Sequence, residues 1–114
     1  MREKNSERDE LIRRDLLGTS EQLCSQNDPT GLGPALRGFL PTLDRAFILK
    51  WLPEQAEDIY WVLVGPTTIV KVEIPRAREG PAVLEAIDLA MFRGKPQSRK
   101  VREKLEIALK LMSG

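Results

Sequence analysis

The chain has 114 residues, 41% apolar and 31% charged, with 18 Lys and Arg against 17 Asp and Glu and a formal net charge of +1. Such a chain suits one small domain, residues 1–114, with a single core; it excludes wholesale disorder and a surface built throughout to read a polyanion. There is no histidine and one cysteine, Cys24, which removes the commonest general base, every Ser-His or Cys-His pairing, most zinc sites and any intrachain disulfide.

The amino-terminal stretch MREKNSERDE is charged and lacks the apolar centre of a signal peptide, and no apolar run approaches the ~20 residues that span a bilayer. With a lone cysteine, this leads to the expectation of a cytoplasmic protein that does not enter membranes. Residues 1–5 should fray. Ser6 followed by Asp9, with Glu7 and Glu10 alongside, forms a helix start. The spacing predicts a helix over 7–17 that buries Leu11, Ile12 and Leu16 and stops at Gly18. A second short helix through Gln22 and Leu23 would be capped by Thr19 or Ser20. Residues 27–34, NDPTGLGP, hold too many breakers for regular structure. Pro34 can then open one further turn, ALRGFL, which Pro41 closes.

Residues 46–75 are the only long stretch whose apolar side chains repeat every second position, and they predict three antiparallel strands over 46–52, 58–64 and 67–74. Gly65-Pro66, read as a two-residue II′ turn, sets Leu63 opposite Thr68, Trp61 opposite Val70 and Ile59 opposite Val72. The acidic loop 53–57 sets Trp51 opposite Ile59, Leu49 opposite Trp61 and Phe47 opposite Leu63. Both registers then place Phe47, Leu49, Trp51, Ile59, Trp61, Leu63, Val70 and Val72 on one buried face. The middle strand, IYWVLV, is apolar on both sides, so the other face also needs a cover or a partner. Its centre is Tyr60, Val62 and Ile69 beside Ile48, with Lys50 and Lys71 at its rim; the amino-terminal helix is one candidate cover.

After Pro75 and a charged link, Gly80-Pro81 is a good helix start. A strand through AVLEAIDLA would bury Glu85 or Asp88 whichever face turned inward, so a helix is expected over 81–93, ended by Gly94 and Pro96. Ser98 caps a last helix over 98–112, with Val101, Leu105, Ala108 and Met112 inward. The fold class is therefore α+β: a three-stranded meander packed against two carboxyl-terminal helices, preceded by short amino-terminal ones.

No motif points to catalysis, a cofactor or a metal. Cys24 reads as a small half-buried residue, and Glu54, Glu57 and Asp58 as a solvated loop tip. The glycines of TGLGP lack the strand before and the lysine after that a phosphate loop requires. An enzyme would have to draw on Asp44, Arg45, Glu57 and Asp58 alone, and the chain is read as non-catalytic. Two surfaces carry the functional expectations. One is the doubtful sheet face, Ile48, Lys50, Tyr60, Val62, Ile69 and Lys71, as a contact for another protein or a second copy of this chain. The other is the start of the last helix, Ser98, Arg99, Lys100, Arg102 and Lys104, where cations gather at the positive end of the dipole and an anion would relieve them. The first expectation is a small protein that binds another protein, such as an inhibitor, an antitoxin- or immunity-type partner, an adaptor or a small chaperone. The alternative is a nucleic-acid- or phosphate-binding module, ranked lower because no aromatic is interleaved with those cations.

Overall fold

A computed structural model describes residues 2–25, 30–76 and 81–113, with side chains in the first helix from Glu7 onward. The elements run α1 (Arg2–Cys24), α2 (Leu32–Phe39), β1 (Phe47–Pro53), β2 (Glu57–Leu63), β3 (Thr68–Pro75), β4 (Val83–Asp88), α3 (Leu89–Gly94) and α4 (Arg99–Ser113). The class is α+β, with one antiparallel sheet in the order β1-β2-β3-β4 and helices on both of its faces. No helix among the described residues is long and apolar enough to cross a membrane.

Two cores flank the sheet. On the first face Phe47, Leu49, Leu63 and Ile69 meet Leu16 of α1, Phe92 of α3, and Leu105, Ile107 and Ala108 of α4. On the second, Val62, Val70 and Val72 meet Leu32 and Leu36 of α2 and Leu23 at the end of α1. Helix α1 thus serves both cores, passing from Leu16 on one side to Leu23 on the other. Between these residues lies Ser20, nearly buried, whose Oγ accepts a hydrogen bond from the Ala46 N–H at 3.0 Å and ties the helix to the entry of β1. Gly18 was expected to stop the helix but lies within it. A glycine inside a helix costs only about 1 kcal/mol against alanine, less than burying Leu16 and Leu23 on either side returns. The helix also extends back over the expected fray, of which Met1 lies outside the described residues.

The strand registers depart from expectation by one residue in two places. Strands β2 and β3 pair Leu63 with Ile69, Val62 with Val70 and Trp61 with Lys71. Their connection is a three-residue loop closed by Val64 N–H donating to Thr68 O at 3.1 Å. Gly31 is the only described glycine at positive φ, so Gly65 does not take the conformation a II′ turn requires. Strands β1 and β2 begin as expected, Phe47 opposite Leu63, but a bulge between Ile48 and Lys50 shifts the rest: Lys50 faces Trp61 and Trp51 faces Tyr60. The two tryptophans consequently lie on opposite faces. Val70 and Val72 move to the second face with Val62, and Ile69 moves to the first. The second face is covered by α2, whereas Ile12 and Leu16 of α1 join the first and Leu11 stays 65% exposed.

The segment expected as a helix over 81–93 is a fourth strand followed by the short α3. Neither acid is buried. Glu85 stands opposite Lys71 on an edge strand. Asp88 ends the strand and caps α3, its Oδ2 accepting the Ala90 N–H at 3.3 Å. The last helix is as expected, Ser98 Oγ accepting the Val101 N–H at 3.2 Å.

Because one sheet carries both cores, truncation on either side should loosen the whole. Phe47→Ala on the first face should cost about 3–5 kcal/mol and Leu36→Ala on the second about 2–5 kcal/mol, each as one cooperative urea transition. Ser20→Ala, which leaves the Ala46 N–H buried without its acceptor, should cost about 1–3 kcal/mol in the same assay.

Candidate functional site

The bulge in β1 has a surface consequence. Leu49 is buried in the first core and Lys50 also turns to that face, its Nζ 4.8 Å from the Trp61 ring centroid. The next residue, Trp51, is thereby delivered to the second face beyond the reach of α2. It lies nearly parallel to Tyr60, ring centroids 6.4 Å apart and planes 14° off. Its Nε1–H donates to Asp58 Oδ1 at 3.1 Å. Arg76, just past the end of β3, donates to the same carboxylate through Nη2 at 2.9 Å and Nε at 3.3 Å. The Arg76 guanidinium holds the Asp58 carboxyl below its ordinary range, and the indole N–H assists, against a smaller opposing effect of burial. Trp51 is fixed by this stack and hydrogen bond, yet 57% of it remains exposed.

Two open clefts meet at Tyr60. One, of about 430 Å³, runs between α1 and the edge of β1 and is lined by Leu16, Thr19, Ile48, Lys50, Trp51 and Lys104. The other, of about 440 Å³, lies toward Thr30, Asp58, Ile74 and Arg76. The aromatic pair is rigid, lies beside both depressions and is rimmed by lysine and arginine. Large rings already held in place also lose little freedom when a partner arrives.

Three of the six residues expected at an interface, Ile48, Lys50 and Tyr60, are brought together here. The other three are not: Val62 and Ile69 are fully buried on opposite faces, and Lys71 sits beside Trp61 on the first face. Trp51, Asp58 and Arg76 were missed. Asp58 and Arg76 fall on one face only when the β2–β3 connection is one residue longer than a two-residue turn, and nothing in the local sequence announces the bulge that brings Trp51 to them.

The expected anion site is dispersed around α4. Arg99 Nε donates to Glu103 at 3.2 Å, and the same carboxylate meets Arg8 at 3.2 Å. Arg102 lines a cleft beside Phe92 and Gln97, Lys104 turns toward Trp51, and Lys100 faces solvent. Asp44 and Arg45 do not meet Glu57 and Asp58; the pairs lie at opposite ends of β1 and β2, roughly 20 Å apart along a seven-residue strand. Arg45 donates to Leu111 O at 2.8 Å. Cys24 lies in a cleft at the other end of the molecule, and burial pushes its thiol pKa up, away from the reactive thiolate, with Arg37 and Ser20 opposing. Among the described residues no three His, Cys, Asp or Glu side chains are placed to hold a metal ion.

No protein-family model matches the chain, and no curated protein or solved structure is significantly similar to it.

Because the folded-state pKa of Asp58 is depressed, its contribution to stability is complete above the ordinary carboxylate pKa and is lost as pH falls through the folded value. The hairpin should loosen below about pH 4, seen as a change in Trp51 fluorescence in acid before global unfolding. In Asp58→Asn that acid-dependent step should be absent.

Proposed function

We propose that this protein is non-catalytic and acts by binding another protein through the Trp51–Tyr60 surface at the edge of β1. The observation that carries the proposal is a tryptophan both immobilised and largely exposed, with clefts on either side of its partner ring. A side chain needed only for folding has no reason to combine those properties. The class takes in inhibitors, immunity-type partners, adaptors and small chaperones, and the unpaired cysteine suits work in the cytoplasm. The partner is expected to present an apolar side chain to the cleft between Trp51 and Lys50 and an acidic group to Lys50 or Lys104.

The test compares partners retained from host lysate by the tagged parent chain, Trp51→Ala, Tyr60→Ala and the remote Lys100→Ala. A specific partner should be held by the parent and by Lys100→Ala, and weakened by roughly 30-fold or more in Trp51→Ala, the factor for a hot-spot residue. Trp51→Ala should melt close to the parent, since the ring buries less than half of its surface. Undiminished capture by the folded Trp51→Ala and Tyr60→Ala chains would exclude this surface.

A further inference from the structure

On the first face the helical cover is centred on the Phe47, Leu63 and Ile69 end of the sheet. Helix α4 packs over β1 and β2, and α3 over the Thr68 and Asp88 end of β3 and β4, where Leu89 N–H donates to Thr67 O at 2.9 Å. Toward the other end the registers place two rows of side chains, Lys50, Trp61, Lys71 and Glu85, then Leu52, Ile59, Glu73 and Val83. Trp61 borders the first core and Ile59 is buried between its neighbours, and the outer positions are more open. Leu52 is 39% and Val83 56% exposed. Trp61 is half-buried, flanked by Lys50 Nζ at 4.8 Å and Lys71 Nζ at 5.8 Å from its ring centroid.

We propose that this end of the face is where a second copy of the chain docks, forming a two-fold dimer centred on β3 that shares only Lys50 with the Trp51 surface. The charge pattern selects the occupant. Lys71 and Glu73 are next neighbours on this face of one strand, and with Lys50 and Glu85 the patch carries two cations and two anions. A uniformly acidic or basic partner would meet like charge within two residues of any favourable contact. A copy of the same face meets none at β3 when the strands run opposite ways: Lys71 of each chain then lies over Glu73 of the other, with Trp61 and Ile59 crossing beside them. The helices gathered over the Phe47, Leu63 and Ile69 end favour that orientation, because with the copies pointing in opposite directions the two helical layers fall at opposite ends. The Lys71–Glu73 pair within one chain, at 3.6 Å on a partly exposed strand, is weak enough to exchange for the pair between chains. Eight residues a side is well short of the roughly 20–30 of a standard interface, so the dimer is micromolar and concentration-dependent.

Sedimentation equilibrium over a concentration series tests this. The parent mass should rise from 12.9 kDa toward twice that value. Lys71→Glu and Glu73→Lys should each remain monomeric, since each brings like charges together twice across the two-fold. An equimolar mixture of those two variants should regain the dimer, because an all-acidic β3 then faces an all-basic one, and the double variant should behave as the parent. The mixture separates an interchain contact from damage within the chain, and Trp51→Ala should dimerise normally whatever the fate of the other surface. A parent that stays monomeric at about 0.5 mM, far above a micromolar Kd, overturns the proposal. So does a mixture that gains no mass over its components.

Discussion

Strand β2 has no polar face to give to water. Its Trp61 and Leu63 point one way and Tyr60 and Val62 the other, so the sheet must be covered on both sides along this strand. That requirement organises the molecule. Helix α4 and the middle of α1 supply one cover, and α2 with the end of α1 supplies the second. A single helix of 23 residues spans from one core to the other because both need it. Ser20 is the hinge of that arrangement, its hydroxyl holding the entry of β1 where the helix changes sides.

The same constraint creates the exposed features. The main cover of the second face is short: α2 has eight residues, whereas the strands it must shield have six to eight residues at more than twice the rise per residue. That face is therefore closed at one end and open at the other. On the second face the open end holds Trp51 against Tyr60, braced by Asp58 and Arg76. On the first face Trp61 lies between two lysines and against the core that α1, α3 and α4 build. The two aromatic surfaces stand back to back at the same end of the sheet, because the β1 bulge sends Lys50 and Trp51 to opposite sides one position later than strict alternation would. Edge strand β1 is guarded by that bulge, by Lys50 and by Pro53, the devices that discourage strand-to-strand association, so side chains rather than backbone edges offer the contacts there.

Much of this was legible in the chain. The three strands of the meander, the two-sided apolar character of β2, the last helix and its Ser98 cap all follow from periodicity and local capping chemistry. The fourth strand was not, because the objection to it assumed that every inward position is buried; at a sheet edge, Glu85 can face inward and remain in water opposite Lys71. The break at Gly18 failed for a related reason, a local preference of about 1 kcal/mol yielding to burial on either side. Of the six residues expected at an interface, Ile48, Lys50 and Tyr60 lie together beside Trp51, whereas the placement of Trp51, Asp58 and Arg76 depended on registers the hydrophobic pattern did not determine.

Sequence alone determined which residues had to leave water and that both faces of the central strand were among them, because apolar periodicity is a property of the chain itself. Only the tertiary structure decided which neighbour each of those residues meets. A one-residue offset at a bulge or a turn changes little in local energy yet exchanges the two faces of a strand, and the choice between offsets belongs to the helices that must fit against them.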